Sequence, residues 1–215
     1  MADIESQERT EEIMESISRK ILITARNELY MKMRFLDVAL SSMPFILDTG
    51  ADGMGTDGLY LYYDPQYLGG LFREDRVMVN RIYLHLVLHG IFRHMIRRKG
   101  RDERLYHLAC DIVTESIIDE MQYRCVMKAR SLPRRDMYRA LKKEMKTLTA
   151  ERVYEVLKKE NLPEVKLGQL EADFRVDDHS YWPKDEDKKK QSQIENQWQD
   201  ISERMETEME TFSKE

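Results

Sequence analysis

Cysteine, long apolar runs and segregated charge are all scarce in this chain. Cys110 and Cys125 are the only cysteines among 215 residues, and no apolar leader follows Met1. That usage fits a reducing cytoplasm rather than secretion. No apolar stretch reaches the roughly 18 residues that a membrane span requires. Lysine and arginine total 35 against 40 acidic residues, a net charge of -5, and the two signs are interspersed. A nucleic-acid surface needs a clustered basic face, so that class is excluded. The short basic run at 93–104 reads as the flanks of a helix turn. What remains is a globular chain, 41% apolar and 35% charged, long enough for one full core with an appendage.

The apolar spacing assigns an α+β fold, mostly helical with a small sheet. Residues 2–42 read as helix up to Pro44, with Ile13, Ile17, Ile21 and Leu22 in helical register. "PFILDTGADGMGTDGLYLYYDP" then changes to turn and strand vocabulary, which predicts short strands near 45–48 and 58–63. "GG" at 69–70 predicts another turn. A long helix is expected over 78–98, apolar on nearly every side and therefore buried. Gly100 stops it, and Asp102 caps a second helix running to about 124. Pro133 breaks the chain before a further helical stretch that ends near Asn161. After Pro163 the pattern weakens. The segment 184–215 is polar with sparse apolar residues, and is expected to form a linker or helical stalk that buries little.

The chemistry begins with "HLVLH" at 85–89. A helix turns 100° per residue, so His85 and His89 share a face and could grip one zinc ion. Two core histidines would look the same. The following helix breaks the tie, because "HLACDIVTE" sets Asp111 and Glu115 four apart on one of its faces. His89 precedes Gly100 by 11 positions and Asp111 follows it by 11, while His85 and Glu115 are both 15 away. An antiparallel helical hairpin (78–124) would therefore set His89 beside Asp111 and His85 beside Glu115, inside an apolar seam. A buried carboxylate without a partner is costly. A metal held by His85, His89 and Asp111, with Glu115 orienting a histidine behind it, removes that cost. His94 and His107 are expected in supporting positions around these ligands.

Taken together, "TDGLYLYYDPQYL", "LHLVLHGIFRH" and "RDERLYHLACD" resemble a bacterial metallopeptidase-like domain that sits N-terminal to a von Willebrand factor A-like domain. The layout also resembles the gluzincin peptidases, in which His-Glu-x-x-His is followed by a ligand carboxylate and then a second carboxylate. The likeness runs from about residue 25 to about residue 125. It implies a zincin-like fold over residues 1–183, with 184–215 leading toward the A-like domain. It also implies zinc as the cofactor and a MoxR-type AAA+ ATPase as a partner. Leu86 stands where the family's catalytic glutamate would be, and Tyr106-His107 replace its Trp-Asn. No Asp-x-Ser-x-Ser metal-adhesion motif occurs, so the A-like domain is not in this sequence.

Zincins bind an extended peptide along a sheet edge, which makes Tyr60, Tyr62 and Tyr63 candidate residues of a peptide cleft. "DDHSYW" at 177–182 resembles an acidic-His-Trp element late in the family, and His179 is a candidate cap over the metal. The other reading is a polar loop anchored by Trp182. "FILDTGADG" is similar to the active-site loop of aspartic peptidases. That chemistry needs a second such loop and an all-β domain, so Asp48 and Asp52 are assigned to turns. Three functions remain open: a metal-binding, catalytically impaired domain used for binding a peptide or protein, an active zinc hydrolase with a replacement base, and a metal-free helical scaffold.

Overall fold

In the computed structural model the chain is described over residues 2–212, with side chains between 9 and 210 other than that of residue 11. Nine helices surround one three-stranded sheet among the described residues. Helix α1 spans Ala2–Tyr30 and α2 spans Asp37–Leu40. Strands β1 (Phe45–Leu47), β2 (Met54–Thr56) and β3 (Leu61–Tyr63) follow. The sheet order is β1-β3-β2, with β1 parallel and β2 antiparallel to β3. Then come α3 (Pro65–Glu74), α4 (Arg76–Phe92), α5 (Glu103–Met121), α6 (Leu132–Glu144), α7 (Ala150–Glu160), α8 (Glu164–Phe174) and α9 (Lys188–Phe212). No helix among them is long and apolar enough to cross a membrane.

Helix α4 is the axis of the core. Every residue from Val79 to Gly90 is buried, as its apolar circumference requires. Helices α1, α3, α5 and α9 and strand β2 cover it. Asp75 caps its start, accepting from Met78 N, and Asp102 caps α5 by accepting from Leu105 N. Gly100 takes φ +73° in the turn between them, a conformation open to glycine at little cost.

Several boundaries differ from the sequence expectation. The first helix ends at Tyr30, not near 42. A short 3-10 turn at Arg34–Leu36 folds the chain back and buries Met33, Leu36 and Leu40. Helix α4 ends at Phe92, because Arg93 adopts a left-handed conformation with φ 56°. The expected strand at 58–63 is a turn followed by β3, and β2 was not foreseen. Gly53 and Gly58, at φ +95° and +90°, bracket it, and Asp57 Oδ1 accepts from Leu59 N and Tyr60 N in the turn. The Gly69-Gly70 pair is no turn but lies inside α3. There Asp64 caps the helix, Pro65 occupies its first turn and Leu68 is buried, outweighing the helical cost of two glycines.

The polar segment from Lys184, expected to bury little, carries α9. Ile194, Trp198 and Ile201 recur on one face of this helix and are buried. Trp198 donates from Nε1 to Gly58 O at 2.7 Å and lies flat on Gly90, where only a hydrogen fits. A Cβ built on Gly90 would stand 2.0 Å from the indole ring. Gly90→Ala should therefore destabilise the protein by about 1–3 kcal/mol through overpacking, measured as a lowered midpoint in denaturant. An unchanged midpoint would mean that α9 is not seated on α4.

Candidate metal centre

Partners on α4 and α5 run in opposite order. Arg81 meets Glu115 and Asp119, His85 meets Glu115 and Asp111, and His89 meets Asp111. His85 Nδ1 lies 2.9 Å from Glu115 Oε1. This leaves the Nε2 atoms of both α4 histidines facing one point, 2.7 Å apart, each 3.4 Å from Asp111 Oδ1.

Two further donors arrive from a distant segment. After α8 the chain crosses this face of the α4–α5 pair as a strap at 175–183. A single parallel bridge joins it to β2 at Gly55 and Asp178, with Asp178 N donating to Met54 O at 2.8 Å. The strap brings His179 Nε2 to 3.1 Å from Asp111 Oδ1 and 3.0 Å from Asp177 Oδ1. His85 Nε2 is 3.4 Å from Asp177 Oδ1. One ligand atom from each of His85, His89, Asp111, Asp177 and His179 falls within 4.8 Å of the others, and all five residues are buried.

This donor set fits a divalent cation. Asp111 Oδ1, both Asp177 carboxylate oxygens and His179 Nε2 are buried without a hydrogen-bond partner, although buried polar groups are ordinarily satisfied. They point at a common centre that also receives two imidazole nitrogens. Imidazole and carboxylate suit zinc and similar first-row ions. The two thiols take no part: Cys110 and Cys125 are free and lie outside the cluster.

Charge is distributed unevenly within the cluster. Burial opposes protonation of His179, but Asp111 and Asp177 outweigh it and raise its pKa to about 10. His85 is likewise raised, its burial penalty overcome by Asp177, Asp111 and Glu115. Burial and the neighbouring His85 lower His89 to about 4. Asp111 and Asp177 both fall below the carboxylate range, since their histidine partners override the burial that opposes ionisation.

Behind the donors lies a supporting layer. Glu115 Oε2 accepts from Arg81 at 2.9 Å (Nε) and 2.6 Å (Nη2) and from Arg134. Arg81 Nη2 also reaches Asp119 at 2.7 Å. His94 sits 2.8 Å from His89, Nδ1 to Nδ1. The early end of α4 makes that contact, because the left-handed Arg93 turns His94 back toward the helix. His107 packs edge-on against His179 and Trp182, both at 4.7 Å. Burial and the nearby His179 lower its pKa to about 3.

The tyrosines proposed for a cleft divide. Tyr60 is exposed. Tyr62 is covered by Tyr181 of the strap, stacked at 4.1 Å and 4°. Tyr63 is fully buried in the core, the opposite of what a cleft position needs. Asp48 and Asp52 lie in the turns that meet the strap. Asp48 accepts from Gly50 N at 2.9 Å and from Tyr181 Oη at 2.6 Å, and Asp52 N donates to Asp178 at 3.1 Å.

Sequence reasoning did not single out Asp177 or Arg81. Asp177 lies two residues before His179, and in an extended strap alternate residues point the same way. Arg81 stands beside Asn80 at the start of the apolar run, one turn before His85, and a charge on so apolar a helix signals a buried acidic partner.

The sequence profile of a family described as a putative metallopeptidase domain matches residues 18–212, and the chain belongs to that family. No curated protein and no solved structure gives a significant match.

These ionisations set the pH dependence of the metal-free protein. His85 and His179 hold protons more tightly folded than unfolded. Their stabilisation is complete below the ordinary imidazole pKa of 6.5 and is lost as pH rises, for His179 through about 10. His89 and His107 hold protons less tightly when folded. Their contribution is present above pH 6.5 and is lost as pH falls toward about 4 and about 3. Stability in chelator should therefore peak near pH 6.5. Denaturant midpoints at about pH 5, 6.5 and 8.5 test this, and a steady climb across the three would contradict it.

Proposed function

We propose that this member of the metallopeptidase-domain family binds one divalent ion, zinc by donor chemistry, and serves as a binding or assembly module rather than a working peptidase. The observation that carries this reading is the commitment of every donor and every nearby carboxylate. A catalytic zinc site keeps three protein ligands and an open position for water, whereas a structural site is closed. Here five donors converge, with two supplied by the strap that lies across the face substrate would use.

The proton-transfer apparatus is also missing. A bound ion would polarise a peptide carbonyl and lower the pKa of water to about 7. In peptidases of this layout a glutamate moves the proton, help worth typically about 10²–10⁴ in rate. Leu86, fully buried, occupies that place. Glu115 cannot substitute, since His85, Arg81 and Arg134 hold both of its oxygens. The α4–α5 pair, with histidines on one helix and carboxylates on the next, supports reading the domain as zincin-like with a metal-bearing antiparallel hairpin.

The resemblance to domains that precede a von Willebrand factor A-like domain supports a client or partner role, with a MoxR-type AAA+ ATPase as the candidate partner. One feature favours hydrolysis instead. A cleft of 510 Å³ reaches Asp111 and His179 between α5, α8 and the strap. Apart from the donor Asp111, its acidic residues Glu103, Glu171 and Asp178 are engaged by Arg98, Arg104 and the backbone N–H groups of Asp52 and Ser180. His107, with its pKa lowered to about 3, is a weak base.

Elemental analysis of the purified chain should find one divalent ion, lost in His85→Ala and Asp111→Ala. Glu115→Gln should weaken binding by about 10–100-fold by releasing His85. Zinc-loaded protein should show no steady peptide cleavage. Turnover abolished by His89→Ala would overturn the impaired-enzyme reading, and zinc content unmoved by either ligand change would overturn the metal centre.

A further inference from the structure

The strap at 175–183 is held by a short set of contacts for a segment that crosses the middle of the site. Apart from the cluster itself these are the bridge at Gly55, the Asp52 N bond to Asp178, an Arg175–Asp52 ion pair at 3.1 Å, and Tyr181 stacked on Tyr62 with its hydroxyl on Asp48. Val176 also packs against the core, and the buried Trp182 ring lies edge-on to His89 at 5.1 Å and to His107 at 4.7 Å. Asp52 and Arg175 are exposed, so that pair adds little. Against these contacts stands the burial of Asp177 and His179, with both Asp177 oxygens and His179 Nε2 lacking a hydrogen bond. Docking also brings a carboxylate oxygen of Asp177 within 4.8 Å of one from Asp111. His179 Nε2 lies 3.1 Å from Asp111 Oδ1 and 3.0 Å from Asp177 Oδ1, and a divalent cation strengthens that attraction, because both carboxylates then face two further positive charges.

We propose that the strap is a metal-dependent latch: a cation shared by Asp111 on α5 and by Asp177 and His179 on the strap holds it closed over β2 and Tyr62, and loss of the cation lets it open more often. The inference rests on reading the cluster as a metal centre and adds what that centre controls. Release uncovers the unpaired side of β2 at Gly55 and the ring of Tyr62. The latch site at Gly55 admits no side chain, since a Cβ there would lie 2.5 Å from Asp178 O and 2.8 Å from the Tyr181 ring. An ion at about 1,000 times its Kd shifts a coupled equilibrium by about 10³-fold, enough to turn a loose segment into a closed one.

Hydrogen exchange of the full chain, read by mass spectrometry in chelator and with one zinc bound, tests the latch. Metal content is measured on the same samples. Amides at 175–183 and 54–62 should exchange at least about 10-fold more slowly in the zinc-bound protein, while those at 18–29 in α1 stay unchanged. Gly55→Ala and Tyr181→Ala alter no donor, and both should speed exchange of the strap in zinc-bound protein while leaving α1 protected. If one zinc is bound and the strap exchanges as fast as in chelator, the latch is wrong and the metal centre stands. If no zinc binds at all, the metal centre fails and the latch with it.

Discussion

Two ionised carboxylates and three imidazoles buried in an apolar seam impose the constraint that organises this protein. An isolated charge in such a place is untenable, so each must be neutralised by a neighbour or by an ion. Asp111 and Asp177 are answered on one side by His85 and His179, and on the other by the common centre at which their unpaired oxygens point. Helix α4 exists as a buried axis because its remaining positions from Ile82 to Phe92 are apolar on every side. It can therefore hold two histidines rigidly where a surface helix would let them turn to water.

Support radiates outward from that seam in definite order. His85 is fixed by Glu115, Glu115 by Arg81 and Arg134, and Arg81 in turn by Asp119 and Val126 O. His89 is fixed by His94. The two α4 histidines thus present Nε2 inward for separate reasons, one through a carboxylate and one through another imidazole. The same chain of contacts explains why Glu115 is a positioning residue. A carboxylate gripped by two guanidinium groups is a poor proton acceptor, and its pKa sits at about 2 despite burial, because His85, Arg81 and Arg134 favour its charge.

Much of the site could be seen in the residues themselves, because helical spacing is a local property. Equal offsets of His89 and Asp111, and of His85 and Glu115, from Gly100 place them side by side as soon as two helices fold back. The strap was harder. Asp177 and His179 meet the helices only through the tertiary path after α8, and a six-residue polar stretch carries no periodicity to fix where it lies. The stripe of Ile194, Trp198 and Ile201 does follow helical spacing, but it is diluted by charge. Its burial depends on Gly90 offering a flat surface, a complement that lies on another helix. Strand β2 was hidden because glycine and aspartate around Met54 signal turns, and the turns flank a three-residue strand. The end of α4 at Phe92 was masked by apolar residues on either side of Arg93, and that early end is what turns His94 toward His89.

X-ray absorption spectroscopy of zinc-bound protein addresses the central assignment most directly. It should report a shell of nitrogen and oxygen alone, with Zn–N near 2.0–2.1 Å, at least two imidazoles and no sulfur. A shell of water oxygens with no imidazole scattering would contradict the account.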